Sequence, residues 1–337
     1  MSIISRALFV KKLIFKSTKN PFMGQIFITR RCNLRCPFCA APLHRYKELS
    51  PNQWCKALDT LSDLGVQVLS FVGGEPTLYK GLLDVLGYAH SKGFVTVLHS
   101  NMTDVKSNFV QRLANTGVDA LEASIDSLNG ILPKSSLHVL DILNEARDQG
   151  VIPIVCTVIT KSNIEQVPEI AQRVTEAGFA YVVAVYQTVG GQFSTHNPAL
   201  IPSHSEIERL FNFLIKIKKK TALIKNSYHF FRNPQIHNIQ TWHCNGSEDT
   251  WIAIDSDGTV MPCQEYRSKI SIFDFQKPYK VAGWRQQKTS ITNACKGCSY
   301  HCYFESEEFS GIRALSELCS YALGLYRMKK VASNSRI

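Results

Sequence analysis

The chain has 337 residues, of which 45% are hydrophobic and 19% are charged, and its formal net charge at pH 7 is +11. This composition is typical of a globular protein and excludes a disordered or fibrous one. The positive charge permits an anionic partner, but no recognition-helix pattern or interleaving of basic and aromatic residues favours nucleic acid. The 11 cysteines are odd in number and mostly fall in two clusters, which favours metal binding in the cytoplasm over a secreted disulfide framework.

Residues 1–20 carry five basic side chains and no acidic one, with apolar residues at helical spacing. This pattern predicts a basic amphipathic helix. Such a helix more often packs on the domain that follows it, and the alternative is peripheral contact with a membrane. No apolar run reaches the roughly 20 residues that span a bilayer, so no transmembrane helix is expected.

Residues 21–200 alternate short β-branched runs with amphipathic helices. The predicted strands are 25–29, 66–72, 94–99, 119–125, 151–160 and 180–186. Their spacing of roughly 30 residues is the length of a βαβ unit, and right-handed crossovers would place all six C-terminal strand ends on one rim. The predicted fold class is therefore α/β: a partial (β/α)6 parallel barrel, followed by a small β-hairpin/helix cluster-binding domain.

Three cysteines, Cys32, Cys36 and Cys39, follow the first predicted strand with the spacing C-x3-C-x2-C. Three thiolates can hold three irons of a cubane cluster and leave the fourth iron without a protein ligand. A zinc site or an ordinary four-cysteine cluster is the alternative, but the triplet has no nearby fourth ligand.

Small or polar residues also stand where the next three predicted strands end. They are Gly73, Gly74, Glu75, Pro76, Ser100, Asn101, Ser124 and Asp126. Glycines let the backbone approach a ligand closely, and a carboxylate can accept hydrogen bonds from an ammonium group. Any one of these residues alone is explained as a turn or cap residue, but the ordered set indicates a binding site on one rim.

The Cys-Asn-Leu-Arg-Cys sequence, Phe38 before the last cysteine and the GGEP segment together resemble the radical S-adenosylmethionine (SAM) enzymes. The resemblance implies that the cysteine triplet holds a 4Fe-4S cluster that binds SAM, and that GGEP contacts the SAM amino group. It also implies that Ser100 and Asn101 meet the SAM ribose and that the fourth strand contributes a SAM-binding pair, Ser124 and Asp126. Met102 stands where a glycine is usual in this family.

A second metal-like region occupies residues 241–305. Cys244 precedes and Cys263 follows a predicted β-hairpin around an Asp-Gly turn, and Cys295 and Cys298 form a C-x2-C pair. Four thiolates of this kind make a closed site for zinc or for an iron–sulfur cluster. The layout resembles the SPASM and twitch extensions of radical SAM enzymes, which implies that these four cysteines hold a second, auxiliary 4Fe-4S cluster. Cys302 is a rival fourth ligand or a reactive thiol.

The remaining segments have simpler interpretations. Residues 201–240 are predicted to be a linking helix and loop, and residues 306–337 a closing helix and a polar tail. The cysteines outside the two clusters are interpreted as ordinary buried thiols. They are Cys55, Cys156 and Cys319.

The family resemblance implies reductive cleavage of SAM to a 5′-deoxyadenosyl radical that abstracts hydrogen from an unactivated carbon. It also implies an electron donor such as flavodoxin or ferredoxin, and the auxiliary cluster allows net oxidation. The sequence assigns no general base, although four side chains are of suitable type. They are Tyr186, His196, His204 and Asp126.

The sequence favours a small-molecule or apolar substrate. That preference rests on the single auxiliary cluster, on the basic segment 1–20 and on the likeness of residues 295–305 to the adenosylhopene-forming branch. The alternative is a SPASM-type peptide maturase, although the roughly 24 residues before the first strand are too few for a separate peptide-recognition domain. A hypothesis of another class is a non-catalytic zinc or iron–sulfur protein that binds nucleic acid through its positive charge.

Overall fold

The computed structural model describes residues 21–106, 108–135, 138–238, 241–244, 251–275 and 283–308. The helix predicted for residues 1–20 and most of the segment 306–337 lie outside the described residues. None of the described helices is long and apolar enough to cross a membrane.

Eight described strands form one sheet in the order β6-β5-β4-β3-β2-β1-β7-β8. The strands are β1 (Met23–Thr29), β2 (Val68–Gly73), β3 (Val95–Ser100), β4 (Ala120–Ser124), β5 (Ile152–Ile159), β6 (Ala180–Val185), β7 (Trp251–Ile254) and β8 (Val260–Met261). Neighbouring strands from β1 to β6 are parallel. All six strands predicted for the barrel are therefore present, and the partial parallel barrel is confirmed.

Ten described α-helices connect or flank the strands. They are α1 (Pro51–Leu64), α2 (Leu82–Ser91), α3 (Phe109–Ala114), α4 (His138–Asp148), α5 (Val167–Glu176), α6 (His204–Thr221), α7 (Tyr228–Arg232), α8 (Pro234–His237), α9 (Trp284–Ala294) and α10 (His301–Glu308). Helix α1 illustrates how capping residues in the sequence determine where a helix begins and ends. Ser50 and Gln53 form a capping box at its start, and Gly65 ends it with φ +92°, a conformation that favours glycine.

The predicted hairpin is present as β7 and β8, but it does not stand apart from the barrel. Strand β7 pairs in parallel with β1, so the hairpin extends the barrel sheet beyond its first strand. This pairing joins segments that are far apart in sequence, which local patterns do not reveal. It places the turn of the hairpin, residues 255–259, at the same end of the sheet as the loop that leaves β1.

Strand residues alternate between two environments. In β3 the outward Leu98 is fully buried against the helices, whereas Val97 and His99 on the inner face are only half-buried. The same alternation runs through β5. The inner face therefore lines a partly open lumen, and the apolar core lies between the sheet and the helices.

A buried ion pair joins the end of β1 to the end of β7. Arg30 donates two hydrogen bonds to the Asp255 carboxylate, from Nε at 2.8 Å and from Nη2 at 2.7 Å. The exposed fractions of the two side chains are 2% and 0%. Arg267 adds a second guanidinium to the same carboxylate, so two cations face one buried acid.

We predict that Asp255→Asn lowers the free energy of unfolding by about 3–5 kcal/mol, because it leaves the Arg30 charge buried without its counter-ion. Urea denaturation measures the change. The matched control is Glu169→Gln, which breaks the exposed Arg173–Glu169 pair and should change stability by less than about 1 kcal/mol. Equal, small effects of both variants would contradict the structural role of the buried pair.

Candidate active site

Cys32, Cys36 and Cys39 lie on the loop that leaves β1 at the C-terminal rim of the sheet. Cys36 is buried and the other two thiols are half-buried. Burial raises the pKa of Cys36 to about 12, and the other two thiols act on it electrostatically. The Leu34 amide donates a hydrogen bond to Sγ of Cys32 at 3.4 Å. The loop therefore brings the three predicted ligands together and supplies a donor to one sulfur.

The donor set fits an iron–sulfur cluster better than a single metal ion. Within the described residues, no three His, Cys, Asp or Glu side chains are arranged to hold one ion. The three thiols act on one another but are not arranged around a single ion. Such a set suits a cubane cluster, in which each cysteine sulfur binds a different iron. Binding iron would also deprotonate the thiols, because only the thiolate is a ligand.

The two glycines of the GGEP segment lie against the start of the cysteine loop. A Cβ at Gly73 would lie 2.2 Å from the carbonyl oxygen of Thr29, and one at Gly74 would lie 2.2 Å from that of Arg31. The Gly74 amide donates to Thr29 at 2.8 Å and the Glu75 amide donates to Arg31 at 2.7 Å. The glycines are therefore required for the approach of two backbone segments, in addition to any approach to a ligand.

The Glu75 carboxylate is buried and engaged by protein donors. Its Oε1 accepts hydrogen bonds from the Ser100 hydroxyl at 2.7 Å and from the Thr77 hydroxyl at 2.8 Å. Its Oε2 accepts from the Asn101 amide at 2.8 Å. Pro76 is also buried and begins a short 3-10 helix that Glu75 caps. The carboxylate therefore links the ends of β2 and β3, and its contact with the SAM amino group stays a prediction.

The end of β3 is tied to the cysteine loop. Asn101 donates from Nδ2 to Oδ1 of Asn33 at 2.9 Å and accepts through Oδ1 from the Thr103 amide at 3.0 Å. Met102 follows with φ +53°, in the left-handed region, and its side chain is buried. The position where the family usually has glycine thus has a backbone conformation that costs a non-glycine residue about 1–2 kcal/mol.

Lys134, in the loop after β4, is a site residue that the sequence analysis missed. Its Nζ lies 3.2 Å from the Ser124 hydroxyl and 3.7 Å from Oδ2 of Asp126. It also lies over the Phe38 ring, 5.7 Å from the centroid, and its charge acts on Cys36. No motif or spacing marks this lysine, and only the path of the loop brings it to the rim.

Asp126 is fully buried beside this lysine. Its Oδ1 accepts a hydrogen bond from the Val158 amide at 2.8 Å, and its Oδ2 has no hydrogen-bond partner among the described residues. Burial raises the pKa of Asp126, while Lys134 and the Val158 amide oppose that shift. The fourth-strand pair and Lys134 therefore form a polar group facing the cysteine loop.

The segment that follows β6, residues 187–204, packs on the cysteine loop. The Thr195 hydroxyl donates to the carbonyl of Pro37 at 2.8 Å, and the Ala40 amide donates to that of Phe193 at 2.7 Å. Tyr186 donates its hydroxyl to the Thr195 carbonyl at 2.8 Å. Tyr186 is thus engaged in holding the loop, which argues against the base role that its residue type allowed.

The four auxiliary cysteines are also brought together. The Cys298 amide donates to the carbonyl of Trp242 at 2.8 Å, which aligns the C-x2-C pair with the segment that ends at Cys244. The pKa of Cys298 is raised by burial, and the thiols of Cys244, Cys263 and Cys295 all act on it electrostatically. In the C-x2-C turn, the Gly297 amide donates to Sγ of Cys295 at 3.4 Å.

Cys302 has a different environment. It lies on α10, and burial raises its pKa to about 12, with further contributions from the carboxylates Glu122 and Glu305. The thiol groups that act on Cys298 do not include it. The geometry therefore supports Cys298 over Cys302 as the fourth auxiliary ligand.

A basic cleft of about 460 Å³ opens beside Cys32. Its lining residues are Arg30, Arg31, Cys32, Arg35, Pro42, Arg45, Tyr46 and Glu48. Arg31 is paired with Glu48, whereas Arg35 donates to the carbonyl oxygen of Cys32 at 3.1 Å. Arg35 and Arg45 are exposed, so the cleft presents positive charge next to a predicted cluster ligand.

Residues 26–174 match the family model of the radical SAM superfamily. This match covers most of β1, strands β2 to β5, the cysteine triplet and the strand-end groups described above. The match supports a radical SAM enzyme, and enzymes of this superfamily use a 4Fe-4S cluster and SAM.

Three relatives that are similar over most of the chain are either named for a peptide or were solved with one bound. The PqqA peptide cyclase of Bradyrhizobium diazoefficiens is 23% identical over 313 residues, which cover 87% of this chain and 81% of that protein. Streptococcus suis SuiB bound to its precursor peptide SuiA has a TM-score of 0.62 and 20% identity, covering 84% of this chain and 68% of SuiB. The structure of anSMEcpe with AdoMet and the Kp18Cys peptide has a TM-score of 0.62 at 14% identity, and the likeness covers 93% of this chain and 99% of anSMEcpe. The two structural likenesses show a shared fold.

We predict that Gly74→Ala destabilises the protein by about 1–3 kcal/mol, because its Cβ meets backbone that cannot rotate away. The same variant should bind less iron at the triplet, since the collision moves the cysteine loop. Urea denaturation and iron analysis after anaerobic reconstitution measure the two effects. Gly87→Ala on α2 is the control, because a Cβ there meets nothing within 4 Å and should stabilise the helix by about 0.5–1 kcal/mol. Normal iron content in Gly74→Ala would contradict the proposed coupling.

Proposed function

We propose that this chain is a radical SAM enzyme that oxidises a peptide, with the three rim cysteines holding the SAM cluster and the four C-terminal cysteines holding an auxiliary 4Fe-4S cluster. The observation that carries the proposal is the gathering of the cysteine triplet, the ends of β2 to β4 and Lys134 on one rim of the barrel. The cluster and SAM, when bound there, supply a 5′-deoxyadenosyl radical that abstracts hydrogen from an unactivated carbon.

The protein groups at the rim have distinct roles in this proposal. The Glu75 carboxylate holds the ends of β2 and β3 together, so the carbonyl oxygens of Gly73 and Gly74 are the acceptors for the SAM amino group. Lys134 is the cation that pairs with the SAM carboxylate, since a charge-assisted hydrogen bond of this kind is about twice as strong as a neutral one. Asn101 bridges to the cysteine loop, and Asp126 holds Lys134 in place.

The comparisons favour the peptide alternative over the small or apolar metabolite that the sequence favoured. The named relatives are a peptide cyclase and two proteins solved with peptides, and each likeness covers 84% or more of this chain. They also favour an enzyme over a non-catalytic nucleic-acid-binding protein. The electron donor stays a prediction, and the basic cleft beside Cys32 has the charge that suits an acidic flavodoxin or ferredoxin.

In this proposal the auxiliary cysteines hold the acceptor of the electron that the product radical gives up. Helix α10 leaves the C-x2-C turn and packs against β6, and its Tyr303 lies against Trp251 of β7 with ring centroids 5.2 Å apart. The hairpin is itself paired with β1. One cluster therefore sits at the rim and the other beside the hairpin, on opposite sides of the loop formed by residues 187–204.

We predict that replacing the rim cysteines and replacing the auxiliary cysteines have different effects on SAM cleavage. Replacing Cys32, Cys36 and Cys39 by Ala should abolish 5′-deoxyadenosine formation from SAM under dithionite and leave about four irons per chain. Replacing the four auxiliary cysteines should also leave about four irons but retain deoxyadenosine formation. Cys302→Ala is the control and should retain about eight irons. Loss of half the iron in Cys302→Ala would overturn the assignment of Cys298 as the fourth ligand.

We predict that the wild-type enzyme consumes a peptide. A pool of synthetic peptides is incubated with the reconstituted enzyme, SAM and dithionite, and mass spectrometry searches for loss of two hydrogens. The auxiliary-cysteine variant should form deoxyadenosine without this product, because the second electron has no acceptor. Modification of an apolar metabolite extract in place of every peptide would restore the substrate class that the sequence favoured.

A further inference from the structure

The lumen contains a hydrogen-bonded histidine and glutamate that the cofactor site does not use. Parallel register places His99 of β3 directly opposite Glu122 of β4. Both side chains are on the inner face of the sheet, since Leu98 and Leu121, their neighbours along the strands, are buried in the core. His99 Nδ1 lies 2.7 Å from Oε1 of Glu122.

The pairing fixes the chemistry of the imidazole. Burial tends to raise the pKa of Glu122, but interactions with His99, His301 and Cys156 together bring that pKa below its ordinary value, so the carboxylate is ionised. An ionised carboxylate only accepts hydrogen bonds, so Nδ1 of His99 carries the proton. In the neutral ring the other nitrogen, Nε2, then carries a lone pair and is the basic atom.

The basic nitrogen has no protein partner. Nε2 of His99 is buried and makes no hydrogen bond to any residue that the structure describes. Leaving a buried polar atom unpaired is energetically unfavourable, and a bound polar group would remove that cost. The other titratable groups that face the pair are Cys156 on β5 and two residues of α10, His301 and Cys302.

The pair lies directly beneath the proposed SAM groups. His99 precedes Ser100, the residue that binds Glu75, and Glu122 lies two residues before Ser124 on the same face of β4. Two residues along a strand span about 6.6 Å. A substrate carbon that meets a radical formed at the rim would thus be within reach of the lumen-facing nitrogen.

We propose that His99 is the proton acceptor of the oxidation and that Glu122 is its positioning residue. The proposal rests on the proposed function, because only a net oxidation releases a proton. Hydrogen abstraction leaves a carbon radical on the peptide. An adjacent N–H, O–H or C–H bond then breaks, its proton forms a bond to Nε2 of His99, and its electron pair forms the new bond to the carbon. The one surplus electron passes to an acceptor of the iron–sulfur class, the group proposed for the auxiliary cysteines.

The first test does not depend on the substrate. Histidine-selective ¹⁵N NMR of the oxidised holoenzyme reports which ring nitrogen carries the proton, and His99→Gln assigns the resonance. We expect the neutral His99 ring to be protonated at Nδ1 and not at Nε2, and Glu122→Leu to lose that preference. A neutral ring protonated at Nε2 in the wild type would overturn the proposal, because the atom facing the lumen would then be a donor.

The second test uses the peptide pool described above. His99→Gln should form deoxyadenosine at the wild-type rate but reduce the yield of oxidised peptide per deoxyadenosine by about 100-fold or more. Glu122→Gln should give a smaller loss, because the amide oxygen still accepts from Nδ1. His138→Gln is the matched control, since it removes the exposed histidine of the His138–Asp141 pair.

The two proposals fail in different ways. Absence of deoxyadenosine in the wild type would overturn the proposed function. Normal deoxyadenosine with an unchanged product ratio in both His99→Gln and Glu122→Gln would overturn only the role of this pair. Loss of deoxyadenosine itself in His99→Gln would also count against it, because it would assign His99 to the rim chemistry or to stability.

Discussion

The buried pair of Arg30 and Asp255 fixes the two ends of the site relative to each other. Charges with almost no exposure are stable only when their partners are held in good geometry, and here two parallel hydrogen bonds set the angle between the ends of β1 and β7. The guanidinium also lies 4.4 Å from the centroid of the Phe193 ring. Because Cys32 follows Arg30 almost at once and Asp255 lies in the hairpin turn between β7 and β8, this pair fixes the hairpin turn to the start of the cysteine loop.

A second buried acid, Glu265, connects the cysteine loop at the rim with the C-terminal cysteine region. The Glu265 carboxylate accepts hydrogen bonds from the amides of Phe193 and Ser194 and from the hydroxyl of Tyr300. Ser194 in turn forms an isolated antiparallel bridge with Cys39. A continuous set of contacts thus runs from the rim cysteines through the loop after β6 to the turn that follows Cys263. The distance between the two proposed clusters is set by these contacts, and the fold of either part alone would not determine it.

The sequence predicted those parts of the fold and of the site that local sequence patterns determine. Alternating β-branched runs and helix caps placed six strands, and the motifs at their ends identified the rim, because residues near a strand end stay near it in any parallel sheet. It did not predict Lys134, which reaches the rim through an irregular loop, or the pairing of β7 with β1, which depends on contacts distant in sequence. The sequence also did not identify His99, because the role of this residue depends on its register with Glu122 and neither residue belongs to a motif. Cys156, interpreted as an ordinary buried thiol, also faces the lumen beside Glu122.

The polar groups occupy two layers whose order follows from strand geometry. The rim layer contains Lys134 and the strand ends that Glu75 links, and the layer beneath contains His99 and Glu122. Because successive inward residues along a strand are about 6.6 Å apart, one substrate can contact both layers. Under the two proposals the radical arises in the upper layer and the proton leaves in the lower one. Separating them matters chemically, because a histidine that took up a proton at the rim would become a second cation there and would compete with Lys134 for the Asp126 carboxylate.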